Sequence, residues 1–256
     1  MNLELASRWS RLLVPSSSFF ANCIHFIFEI ATNDEQRTTN DEQSTKHEEQ
    51  KTTMNPQTIS DSTWPIQLAR LFPPQGQWSV EDYLRLSDQT RQLVELVDGR
   101  IEIPERPTET HQLIVQFLFL AFHEHIGAEG LGTLVFAPIR VRTIDDRYRE
   151  PDLAFMLTEH ADRRGNAYWQ AADLVVEVVS ADDASRQRDW LDKKAEYAQA
   201  GIDEYWIVDP QEQRIVVHFR EGTEYIEFGD YRPGQQAQSQ LLPGLRIDVT
   251  KTLNAK

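Results

Sequence analysis

The sequence predicts a mixed α/β fold, α+β in character, with a central mixed β-sheet flanked by helices. Three observations predict it: a long apolar segment with helical spacing at 110–126, a second helix-forming segment at 184–200 between two apolar strand-forming runs, and a strand-rich C-terminal part. Ser79-Val-Glu-Asp-Tyr-Leu-Arg-Leu86 opens with a serine N-cap and an early glutamate, which predicts a short helix. Leu93 to Val97 and Arg100 to Ile103 flank Asp98-Gly99, a two-residue hairpin turn. In Thr110 to Ile126 the residues Leu113, Ile114, Phe117, Leu118, Ala121 and Phe122 recur at core-facing spacing, and Gly127 and Gly130 end the helix. Strands are expected at 133–136, 139–143, 152–157 and 174–180. A helix from about Ala184 to Ala200 stops at Gly201. Strands at 204–209, 214–220, 224–228 and 246–249 complete the order. Within the second helix, Arg186, Asp189, Lys193 and Tyr197 share one stripe, whereas Leu191, Ala195 and Ala198 lie on another, the expected core face.

The first sixty residues differ in kind. Thr32-Asn-Asp-Glu-Gln-Arg-Thr38 is followed by Thr39-Asn-Asp-Glu-Gln-Ser-Thr45 and by a degraded copy, Lys46-His-Glu-Glu-Gln-Lys-Thr52. Polar repeats of this kind bury too little surface to offset their ordering entropy, so residues 1–60 read as a disordered low-complexity extension and 64–256 as one domain. The apolar stretch from Leu12 to Ile30 is interrupted by Pro15, His25 and Glu29, which disfavours a targeting or membrane segment; a start at Met54 is the alternative account of this extension. Cys23 is the single cysteine of the 256 residues, so no internal disulfide or cysteine zinc cluster can form, and a reducing, cytoplasmic compartment is expected. Net charge is −15; residues 1–60 hold 8 acidic and 5 basic residues, leaving −12 for the remainder. That balance counts against a nonspecific nucleic-acid binder, though not against an enzyme with a local basic rim and a bound cation.

The chemistry concentrates at Pro151-Asp152 and at Glu177 in Asp173-Leu-Val-Val-Glu-Val-Val-Ser180. About fifteen residues separate the two strands, too few for a parallel crossover, so antiparallel pairing is expected. Pairing Leu157 near Asp173 puts Asp152 opposite Val178, within one residue of Glu177. Two carboxylates at 4 Å repel by about 4 kcal/mol at an effective dielectric of 20, so either one is protonated or a cation lies between them. Oxygen donors without cysteine favour Mg²⁺ or Mn²⁺. Val179 stands where an Asp/Glu-X-Lys motif would place its lysine. The nearest lysines are Lys193 and Lys194, about 14 Å along a helix that returns over the sheet. His111 opens the long helix and is a candidate for reaching the site or a phosphate, with an ordinary surface histidine as the competing reading. Glu95 is a lone acid in a strand, either a further ligand or a group that orients Lys193. Tyr197 and Trp206 read as core or wall. Arg140, Arg142, Arg147, Arg149, Arg163, Arg164, Arg186 and Arg188 form either a phosphate-contacting rim or an ordinary solvent face.

Taken together, Glu95-Leu-Val-Asp-Gly99, His111, Arg149-Glu-Pro-Asp-Leu153, Asp173 to Ser180, Lys193 four before Tyr197, and Ala200-Gly-Ile-Asp-Glu-Tyr-Trp-Ile-Val-Asp-Pro210 resemble the Uma-two family of restriction endonucleases, within the PD-(D/E)XK nuclease superfamily. The resemblance covers about Trp78 to Leu253. It implies a restriction-endonuclease-like fold and Mg²⁺-dependent (or Mn²⁺-dependent) cleavage of DNA by an endodeoxyribonuclease. It further implies Asp152 and Glu177 as metal ligands and Lys193 as the displaced lysine, with Glu95 and His111 as accessory candidates. DNA is the expected partner, a homodimer is one arrangement, and no membrane is involved. A catalytically inactive interaction module on the same fold, or a hydrolase of a small phosphorylated substrate, would fit the same residues.

Overall fold

Side-chain caps set where the helices begin. In the computed structural model, which describes residues 72–256, the Ser79 hydroxyl accepts from the Asp82 N–H at the start of α1 (Val80–Gln89). The Thr108 hydroxyl accepts from the His111 N–H at the start of α2 (Glu109–Glu129). Gly130 closes α2 at φ 64°, the left-handed conformation that only glycine adopts without penalty. Asp98 at φ 50° and Gly99 at φ 67° form the turn between β1 (Glu95–Val97) and β2 (Arg100–Glu102), two positive φ values in succession as a tight hairpin requires.

The central sheet has six strands: β3 (Gly132–Phe136), β6 (Leu153–Leu157), β7 (Leu174–Val178), β8 (Glu204–Asp209), β9 (Arg214–Glu221) and β10 (Glu224–Tyr231), in spatial order β10-β9-β8-β7-β6-β3. All neighbours are antiparallel except β7 and β8, whose parallel pairing makes the sheet mixed. The crossover between those two is helical, built from α3 (Asp183–Gln187), a π-type turn (Arg188–Asp192) and α4 (Lys193–Gln199). A smaller sheet, ordered β2-β1-β5-β4, adds β4 (Val141–Arg142) and β5 (Tyr148–Arg149). The chain ends with the β11 (Gln236–Gln238) and β12 (Arg246–Asp248) pair and α5 (Val249–Leu253).

Strand parity divides the core into two layers. Leu153, Phe155, Leu174 and Val176 turn toward Ile114, Leu118 and Phe122 of α2, with Trp206 edge-on to Phe122 at 5.2 Å. Ala154, Met156 and Val175 turn the other way, toward Tyr197 and Tyr205. Each fully buried large apolar side chain contributes about 1.5–3 kcal/mol, so both faces of the sheet are covered by stabilising layers. A third cluster, Tyr83, Val94, Leu96 and Tyr148, holds α1 on the smaller sheet. Among the described residues no helix is long and apolar enough to cross a membrane.

Several elements depart from the sequence reading. The strand expected at 139–143 shrinks to Val141–Arg142, and β5 and β11 are additional. The strand expected at 246–249 stops at Asp248, whose side chain accepts from the Lys251 N–H and starts α5. The helix expected at 184–200 is interrupted by a π-type turn, and its buried side is the polar stripe: Asp189, Lys193 and Tyr197 are buried, while Leu191 is 63% exposed and Ala195 is exposed. Only Ala198 of the expected core stripe is buried. The β6–β7 register differs by one residue, since Leu153 pairs with Val176. The repeats and the 1–60 extension lie outside the described residues.

Candidate active site

Pairing and parity bring the two carboxylates together. Continuing the Leu153–Val176 pairing outward sets Asp152 across from Glu177, and directly opposed residues of an antiparallel pair share a face. That face is the α4 side. The Asp152 carboxylate accepts from the Val178 N–H at 2.7 Å through Oδ2, so the outer end of β7 is tied to the residue preceding β6. His111 Nε2, from the first turn of α2, lies 3.2 Å from the same oxygen.

Helical spacing supplies the donors to Glu177. Lys193 and Tyr197 stand one turn apart on α4, and the Lys193 ammonium and the Tyr197 hydroxyl both donate to Glu177 Oε1 at 2.8 Å. Asp189, in the π-type turn four residues before Lys193, shares its face, with Oδ1 3.5 Å from Lys193 Nζ. Glu95 on β1 lies 3.4 Å from the same ammonium. Its second oxygen is held by Arg149 at 2.8 Å, and the Arg149 guanidinium also donates to Glu102 and Glu196. Glu95 is thus fixed between two cations and bears on the placement of Lys193.

The charges do not balance. Asp152, Glu177, Asp189, Glu95 and Glu150 line one cavity of about 60 Å³, against Lys193, Arg188 and His111. Burial pushes Glu177 up to about 8, aided by Asp189, Asp152 and Glu95; Lys193 opposes this but is shared among three carboxylates. Burial and Glu95 raise Glu150 to about 7, and burial raises Asp189. At Glu95 burial also pushes upward, but Lys193 and Arg149 together win and hold it at about 2. Burial works against charge on Lys193 and His111, yet the surrounding carboxylates raise both, Lys193 through Glu177, Glu95 and Asp189, and His111 through Asp152 and Glu177.

The surplus of buried negative charge is what a hard divalent cation would relieve. Among the described residues no group of three or more His, Cys, Asp or Glu side chains forms a ready-made cage. Asp152 and Glu177 each commit one oxygen to protein donors and leave Asp152 Oδ1 and Glu177 Oε2 with no donor among the described residues, at a shared cavity. Mg²⁺ keeps several waters and is commonly held by one or two carboxylates, so this pair fits it.

The remaining sequence candidates are placed as follows. Lys194 does not line the cavity; burial lowers its pKa, and Glu227 faces it. Val179 is buried in the apolar layer, so the usual lysine position is filled by packing. Trp206 is core, whereas Tyr197, read as core or wall, touches Glu177. Of the eight arginines read as a rim or a solvent face, Arg188 lines the cavity, Arg163 lies 4.0 Å from Asp173 and Arg164 is exposed, while the other five are paired within the fold. Arg140 is held by Asp88, Arg142 by Asp146, Arg147 by Asp98, Arg149 is buried among glutamates, and Arg186 is held by Asp209. Asp189 and Glu150 were not among the candidates. The four-residue spacing of Asp189, Lys193 and Tyr197 was the available signal for the first; Glu150 gave none.

Comparison with known proteins bears on the fold and the family. A solved structure from Anabaena variabilis, described as a putative nuclease belonging to DUF820, superposes with a TM-score of 0.57 at 19% identity, covering 69% of this chain and 97% of that chain. At that identity the likeness is one of fold: a mixed central sheet with flanking helices. No curated protein matches the chain. Residues 80–250, well over half of the chain, match the Uma2 family model, described as "Putative restriction endonuclease", and the chain belongs to that family.

Proposed function

We propose that the protein hydrolyses DNA phosphodiester bonds as a Mg²⁺- or Mn²⁺-dependent endonuclease, with Asp152 and Glu177 holding the cation and Lys193 acting beside them. The observation that carries this reading is the shared cavity: two cross-strand carboxylates, each with an oxygen left over, and a buried ammonium 2.8 Å from one of them. A divalent cation bound there supplies Lewis-acid polarisation of a phosphoryl oxygen and a water of lowered pKa. The chain's own residues supply position and charge. Lys193, locked by Glu95, Glu177 and Asp189, presents a fixed positive charge to the developing negative charge of the transition state. Tyr197 fixes the rotamer of Glu177, and the Val178 N–H fixes that of Asp152. Half-buried His111 contacts Asp152 Oδ2 and leaves its other ring nitrogen buried without a partner among the described residues.

The test is cleavage by the full-length chain of a labelled oligonucleotide, offered as a single strand and as a duplex. Product is expected with millimolar Mg²⁺ or Mn²⁺ and not with a chelator. Intact DNA in both forms with either metal would contradict the proposal.

A further inference from the structure

The cavity that holds the carboxylates opens into a larger groove of about 570 Å³, and Leu93, Glu105, Gln112 and Ala137 line both. Two features combine at the groove, although Arg100, Arg164 and Arg246, which do not line it, are likewise exposed and without a carboxylate partner among the described residues. Arg91 and Arg106, on its walls, are exposed, and among the described residues neither has a carboxylate partner. In contrast, Arg140, Arg142, Arg147, Arg149 and Arg186 are all paired. Beside the two free cations lies an apolar wall of Ile103, Pro104, Pro107 and Pro138, in which Ile103 is 61% exposed.

We infer that this groove receives an unpaired DNA strand, with Arg91 and Arg106 on phosphates flanking the scissile one and a nucleobase lying on the Ile103–proline wall; the inference rests on the phosphodiesterase reading above. Apolar surface next to cations matches a strand that offers base faces and phosphates together. A regular duplex keeps its base faces stacked inside and presents mainly phosphates, which the net charge of −12 over residues 61–256 repels. Two phosphate contacts also set a small salt dependence, a log–log slope of about −1.4 for a single strand.

The test is fluorescence anisotropy of the full-length chain in metal-free buffer. The probe is a labelled DNA of roughly 12 nucleotides, used as a single strand and as the matching duplex, at salt concentrations from about 50 to 200 mM. The single strand is expected to bind at least tenfold tighter than the duplex, with the shallow slope given above. The double variant Arg91→Ala, Arg106→Ala is expected to lose at least tenfold in affinity and most of the slope. Arg100→Ala, exposed but outside the groove, serves as the control and keeps full affinity. Equal binding of duplex and single strand, or unchanged binding by the double variant, overturns the inference. Because no turnover is needed, the two readings separate. Single-strand binding through both arginines without cleavage supports the groove and removes the hydrolase. Metal-dependent cleavage with binding indifferent to both arginines keeps the hydrolase and removes the groove.

Discussion

Replacing Lys193 with methionine is expected to lower strand cleavage by on the order of 10²–10³-fold, the loss seen when one preorganised transition-state charge is removed. The same change is expected to destabilise the fold by about 3–5 kcal/mol near pH 8, because it leaves buried carboxylates without their cation. Lys193 is 3% exposed and lies within 3.5 Å of oxygens from Glu177, Glu95 and Asp189. Without it, those acids become neutral only by taking up protons. The stability deficit should therefore shrink as the pH falls toward about 5, whereas the cleavage defect persists. Lys193→Arg keeps the charge and should restore most of the stability, but its larger planar head cannot take the place of the compact ammonium, so cleavage stays low. Urea melts at two pH values, read beside single-turnover cleavage, separate the two effects. A Lys193→Met protein with normal cleavage would remove the residue from the mechanism.

In metal-free buffer the wild-type chain is expected to lose thermal stability as the pH rises from about 5 to about 8. Glu177 and Glu150 have folded-state pKa values raised to about 8 and about 7. A raised folded pKa contributes stability that is fully present below the unfolded value and lost as the pH climbs through the folded one. His111, also raised, acts in the same direction. Glu95, lowered to about 2, contributes stability that is lost only in strong acid, outside this window. A cation between Asp152 and Glu177 replaces the proton that burial forces on the cluster, so Mg²⁺ should reverse the loss at the upper end. At a metal concentration about 100 times Kd the gain is about 2.7 kcal/mol, which for a domain of this size raises Tm by roughly 5–10 °C. Melting curves across this pH range, with and without Mg²⁺, provide the check. Stability that rises with pH in metal-free buffer would contradict the charge distribution described here.

Much of the site could be read from local pattern, and the misreadings have identifiable physical origins. An acid inside Leu-Val-Val-Glu-Val-Val has no solvent-facing alternative once both faces of β7 are covered, so Glu177 stood out as requiring a partner. Its pairing with Asp152 was legible to within one residue. The remaining slip comes from Asp173, whose Oδ2 accepts from the Leu157 N–H at 2.7 Å and which fixes the end of β6 by a side-chain bond that no periodicity reveals. The stripes of the second helix were read correctly but their sides were inverted, because apolar counting assigns the apolar stripe to the core, whereas the buried stripe here is Asp189, Lys193 and Tyr197. That stripe is buried because Lys193 and Tyr197 both donate to Glu177, which leaves Leu191 on the outer side. Pairing within the arginine set was hidden for a different reason: Asp88 lies 52 residues from Arg140, and Asp98 lies 49 from Arg147, so their neutralisation is a product of the fold. The same long-range pairing leaves Arg91 and Arg106 exposed and without acidic partners among the described residues, which residue counting could not single out.

Calorimetric titration of the full-length chain with Mn²⁺ near neutral pH, beside the Asp152→Asn, Glu177→Gln double variant, tests the central claim most directly. The account predicts saturable binding at submillimolar to millimolar metal in the wild type, with proton release as Glu177 ionises, and its loss in the double variant. A flat wild-type titration, or one that the double variant reproduces, would show that these two carboxylates do not form the cation site.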